Sequence, residues 1–107
     1  MSLRSNSAPV VLESTATIPV DAIGASNAIG SITGNMAYII RSAAGLGDGT
    51  NLASGNATAV SGVTNGYYVS QAMGAASGFA AGNTYFMHLT YVISGVTYGQ
   101  WVEIPVI

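Results

Sequence analysis

Lysine and cysteine are both missing from this 107-residue chain, and only six residues carry a charge: Arg4, Glu13, Asp21, Arg41, Asp48 and Glu103. Without cysteine there is no disulfide framework, no thiolate metal site and no cysteine nucleophile. Two arginines far apart in sequence make no basic patch able to displace counterions from phosphates, so nucleic acid is excluded as a partner. An anionic membrane surface is excluded by the same shortage. Gly, Ser, Thr and Asn break every apolar stretch before it reaches the roughly 18 residues of a membrane-spanning helix. The segment Met1–Pro9 has no basic run followed by a long apolar core. It is therefore read as lacking a secretory signal, and the chain as made in the cytoplasm.

What is present is apolar and small. Hydrophobic residues make up 50% of the chain and charged ones 6%, against about 25% charged in an ordinary globular domain. Disorder is excluded, because disordered chains are poor in apolar residues and rich in charge. The length suits one domain, read as an N-terminal arm over 1–14 and a single β-sandwich over 15–107. A domain of this size has a high surface-to-volume ratio and normally depends on a charged coat for solubility. Burial of part of its surface in an assembly relieves that shortfall, so a homo-oligomer or a larger shell is the expected setting.

Fourteen glycines punctuate runs of Val, Ile, Thr and Tyr, which is a pattern of short strands and turns. The Ala-rich stretches at 42–46 and 72–81 contain Gly at about 1 kcal/mol each relative to Ala, so neither is expected to form a long helix. The clearest alternation is Tyr85, Met87, Leu89, Tyr91 and Ile93 against Phe86, His88, Thr90 and Val92. Ser94-Gly95 offers a turn into a second strand over 96–104, with Tyr98, Gln100, Val102 and Ile104 on one side and Thr97, Trp101 and Glu103 on the other. Pro105 cannot donate to a ladder and predicts an edge at this end. Further strands are expected over 67–73, 36–41 and 15–20, the last with an edge-seeking Pro19, and weaker ones over 57–60 and 28–32. The fold class is all-β, an antiparallel two-sheet sandwich of six to eight short strands. Residues 42–56 read as the longest loop. Residues 1–8 have too little apolar surface to dock alone and are expected to gain order from another chain.

No catalytic or cofactor-binding constellation emerges. His88, the one histidine, falls in mid-strand, where an imidazole is a sheet residue before it is a general base. Glu13, Asp21, Asp48 and Glu103 are scattered, and one His without Cys is not a zinc site. Asp48-Gly49-Thr50-Asn51 is turn chemistry and lacks the acidic alternation of a calcium loop. Tyr67, Tyr98 and Trp101 are candidate interface or glycan contacts, because Tyr and Trp combine an apolar body with a polar tip. Trp101, opposite in phase to Tyr98 and Val102, is expected to be an exposed anchor.

The series Asn65-Gly66-Tyr67-Tyr68-Val69, Ala81-Gly82-Asn83-Thr84-Tyr85-Phe86-Met87 and Ser94-Gly95-Val96-Thr97-Tyr98 resembles the small immunoglobulin-like β-sandwich modules of tailed-bacteriophage virion proteins, which include capsid decoration and tail or neck accessory proteins. The resemblance covers positions 60–107. It implies a non-enzymatic structural role in a virion, with binding to other copies or to a shell protein through edge strands and the N-terminal arm. A carbohydrate-binding module that uses exposed aromatics is the alternative, and fold alone does not choose between them.

Overall fold

A computed structural model of the chain describes residues 3–24, 31–43, 49–63 and 66–107. Eight strands follow in order: β1 Leu3–Asn6, β2 Thr15–Asp21, β3 Ile32–Arg41, β4 Asn51–Asn56, β5 Thr58–Ala59, β6 Gly66–Ala72, β7 Thr84–Ile93 and β8 Val96–Pro105. One sheet has the order β1-β8-β7-β3-β4 and the other β2-β6-β5. All pairings are antiparallel except β1 with β8. The fold is an all-β sandwich.

The β7–β8 hairpin is centred in the larger sheet and pairs without interruption from Thr84↔Pro105 to Ile93↔Val96. Its turn needs positive φ at both central residues, and Ser94 (51°) and Gly95 (80°) supply it. That geometry matches the right-handed twist of the strands it joins. The alternation then decides the faces: Tyr85, Met87, Leu89 and Tyr91 are all 4% exposed or less. Opposite them lie Ala16, Ile18 and Val20 of β2 and Val69 of β6, with Met36, Tyr38 and Ile40 of β3 and Val102 and Ile104 of β8 completing the core.

Polar groups tie the layers together at Tyr38 and Tyr91, and a third tyrosine, Tyr85, fixes the loop before β7. Tyr38 donates its hydroxyl to Gln71 Oε1 on the facing sheet at 2.7 Å. Tyr91 donates to the Ile23 carbonyl at 2.6 Å and accepts from Gln100 Nε2 at 2.8 Å. Gln100 also donates to the Asp21 carbonyl, so β8 is held over the end of β2. Tyr85, near the start of β7, accepts from the Ala80 N–H at 2.7 Å and reaches the Gly78 carbonyl at 3.4 Å. These bonds tie the loop that precedes β7 to the start of that strand.

Several expectations are corrected. Residues 3–6 do not wait for another chain: they pair with Gln100–Glu103 in parallel. The segment continues along the same edge, with Ser7 N–H donating to Glu103, Val10 to Pro105 and Leu12 to Ile107. The end of β8 is therefore interior rather than an edge, because residues 3–12 cover it. Pro19 does lie on an edge strand, as its missing donor requires. The expected loop 42–56 contains strand β4, while its residues 44–48 lie outside the described residues, as do 28–30 of the weak strand 28–32. The Ala-rich stretch 72–81 forms a single 3-10 turn, Ala75–Ser77, started by Glu13, whose Oε1 accepts the Ala75 N–H at 2.7 Å.

Leu89→Ala is expected to cost about 2–5 kcal/mol through lost transfer energy and a residual cavity. His88→Thr, on the other face, should cost less. Tyr85→Phe removes only hydrogen bonds and should cost about 0.5–1.5 kcal/mol. Equilibrium denaturation of the three variants checks the order.

Candidate functional site

The core face of the larger sheet is covered by the smaller sheet, whereas its outer face has no second layer among the described residues. Cross-strand register places the side chains of that outer face in rows. Ile39, His88 and Trp101 are direct neighbours across β3, β7 and β8, and Arg41, Phe86 and Glu103 form the next row. Trp101 and His88 are in ring contact at 4.5 Å between centroids. The imidazole lies over Gly99, where any Cβ would come within 2.8 Å of Nε2. Glycine at 99 thus leaves room for the imidazole at this point of β8. Trp101 is left 9% exposed.

Electrostatics on this face are weak and local. Burial against Trp101 and Gly99 lowers the His88 pKa below the ordinary value of 6.5, because it penalises the charged imidazolium. Thr90 Oγ1 lies 3.5 Å from Nδ1. Arg41 is 7% exposed; its guanidinium donates to Asn51 Oδ1 and to the Gly49 carbonyl, joining the end of β3 to the start of β4. Glu13 is committed to the 3-10 turn. Among the described residues no three His, Asp or Glu side chains gather in a way that could hold a metal.

The three residues singled out as contacts are not brought together. Trp101 is on the outer face and nearly covered, so the expected exposed anchor is not what the structure shows. Tyr98 is on the opposite, core-facing side of β8, stacked with Tyr91 at 6.2 Å. Tyr67 is on β6 in the other sheet, and both tyrosines are partly buried against the core.

What sequence reading missed is the edge beside this face. β4 runs Asn-Leu-Ala-Ser-Gly-Asn, six residues without charge or proline, and pairs with β3 on one side only. Ala57 N–H donates to the Met36 carbonyl. By the alternation of an antiparallel ladder Gly55 and Ala53 also face β3, and Ser54 and Asn56 turn their backbone groups outward. Of the four sheet edges among the described residues, β5 is two residues long, β2 carries Pro19, β1 is four residues long, and β4 alone has neither proline nor such brevity.

The neutral form of His88 carries the pH dependence of this face. Its folded pKa is depressed, so the stability it contributes is complete above its unfolded value near 6.5 and is lost as pH falls through the lower folded value. The unfolding temperature is expected to fall as the pH is lowered below about 6.5, and His88→Gln should flatten that part of the profile. Comparison of the chain with protein-family models, with curated proteins and with solved structures finds no match.

Proposed function

We propose that this chain is a non-enzymatic structural module that works by binding other polypeptides, first of all further copies of itself, through its sheet edges. The observation that carries the reading is the β4 edge. An extended strand with free N–H and C=O groups on one side is a template for another strand, and proteins that stay apart guard such edges with lysine, proline, bulges or brevity. This chain has no lysine to place there. The register shift at Ile40/Arg41 distorts only the Asn51 end, and Ala53–Asn56 pair evenly with β3. Two copies of a neutral strand meet without like-charge repulsion, and joining the larger sheets side by side also makes their outer faces continuous. The edge at β1 gives the same sheet a second place for a neighbour.

The resemblance of positions 60–107 to immunoglobulin-like modules of tailed bacteriophages supports placing this role in a virion, as a capsid decoration or tail accessory protein made in the host cytoplasm. A shell protein is then the natural second partner. The carbohydrate-binding alternative needs Trp101, Tyr98 and Tyr67 on one open surface, an arrangement that the described residues do not provide.

Light scattering coupled to size exclusion tests the reading. A mass at a defined multiple of 10.8 kDa is expected. Ser54→Pro removes an outward donor without breaking the β3–β4 ladder, so it should return the mass to that of one chain with the fold intact. A single chain at all concentrations, or an oligomer indifferent to Ser54→Pro, rejects the β4 edge as the contact.

A further inference from the structure

The two sheets are unequal, and the inequality is concentrated on one side. β2 faces β8, as the Gln100 to Asp21 hydrogen bond shows; β6 faces β3 through Tyr38 and Gln71. Beyond β8 the larger sheet continues with β1 and residues 7–12. Beyond β2 the smaller sheet stops. The leading segment is hydrogen-bonded to β8 and leaves the outer edge of β2 unpaired among the described residues. Between the overhanging segment and the outer edge of β2 lies a groove of about 450 Å³. Val10, Ala16, Ile18 and Val102 are among the residues that line it, and none of its lining residues is charged.

The edge that faces this groove is chemically defined. Met73 N–H donates to the Ser14 carbonyl, so even-numbered positions of this segment bond toward β6, and Ala16, Ile18 and Val20 follow by alternation. The odd positions turn outward. Pro19 is one of them, which is why its missing N–H costs the ladder nothing. Thr15 and Thr17 therefore present free N–H and C=O groups along the groove, above an apolar floor.

We propose that this groove accepts an extended, uncharged segment of a partner protein, which adds to β2 as a fourth strand and lies opposite β1. A small molecule would leave the periodic backbone groups unpaired, whereas a strand satisfies them at the ordinary spacing of about 4.8 Å and sits about 10 Å from the facing sheet. Neutral lining selects against charged side chains on the inward face of that strand. The neutral lining and the outward backbone groups of Thr15 and Thr17 define that occupant as an extended, uncharged polypeptide; the described end segments do not fill the groove, since 3–12 run along β8 and Val106 and Ile107 bond to Asn83 and Val10. The proposal is independent of the β4 edge.

The test is titration of a blocked six-residue peptide of alternating threonine and valine into the isotopically labelled full chain, followed by NMR. Shifts are expected along the groove, with slowed hydrogen exchange at the Thr15 and Thr17 amides. Thr17→Pro removes an outward donor and leaves the β2–β6 ladder whole; it should weaken binding at least about tenfold, as loss of one or two hydrogen bonds does. Thr17→Lys, which keeps the backbone donor and charges the exposed edge, should weaken it too and serves if the proline variant does not fold. Ser54→Pro should leave peptide binding unchanged. No binding at millimolar peptide overturns the proposal, as do shifts centred on β4 or binding indifferent to both Thr17 variants. If Thr17→Pro instead dissolves a self-associated form of the chain, the occupant is a second copy and the proposal also falls.

Discussion

Everything in this sandwich depends on the register of β7. Its ten residues alternate without a break, and a shift of one position would send Tyr85, Met87, Leu89 and Tyr91 to the outer face and bring Phe86, His88 and Thr90 inward. The tight turn at Ser94-Gly95 fixes β8 against it, and β3 then pairs on the other side with Tyr38 beside Leu89 and Ile40 beside Met87. Three strands are thus positioned by one alternation. β2, β6 and β5 form the facing sheet that covers their apolar face, while β1 and β4 extend the larger sheet at its edges.

A core this rich in tyrosine poses a second constraint, since each buried hydroxyl requires a partner. A chain with six charged residues has few ion pairs to offer, and the structure meets the demand with neutral groups. Gln71, Gln100 and backbone atoms of residues 23, 78 and 80 receive or supply the bonds. The Tyr38–Gln71 and Tyr91–Ile23 bonds join elements distant in sequence, so they help specify which sheet faces which, while the apolar side chains supply most of the stabilisation.

The parts of the fold that were legible in the sequence are those where a local rule and the global need agree. The 84–104 hairpin combines an unbroken period of two with a Gly-containing turn, and both strands formed as expected. β2 and β6 followed from shorter alternations. β4 was not legible: Asn-Leu-Ala-Ser-Gly-Asn has poor strand propensity, and it becomes a strand because β3 offers it a ladder, a tertiary effect with no local signature. The N-terminal strand was hidden for a related reason. Its few apolar residues argue against docking, yet parallel pairing with β8 depends on backbone groups that composition does not report. The alternation places Trp101 on the outer face of β8, but its near burial comes with the ring contact to His88, a neighbour on the next strand that the sequence of β8 alone does not show.

The five-to-three imbalance between the sheets links these features. A larger sheet that overhangs a smaller one leaves open edges of two kinds. At β4 the edge is bare and polar, with the outer face to one side, and it suits a neighbour that extends the sheet laterally. At β2 the edge looks into a groove floored by core residues, so a strand entering there would bury apolar side chains between two layers as well as pair its backbone. Lateral pairing gains mainly hydrogen bonds, each with a modest net value, whereas insertion adds apolar burial at about 25 cal/mol per Å². The scarcity of charge would thus act differently at each: at β4 it leaves no like-charge repulsion against a second copy, and at β2 it would select an uncharged strand.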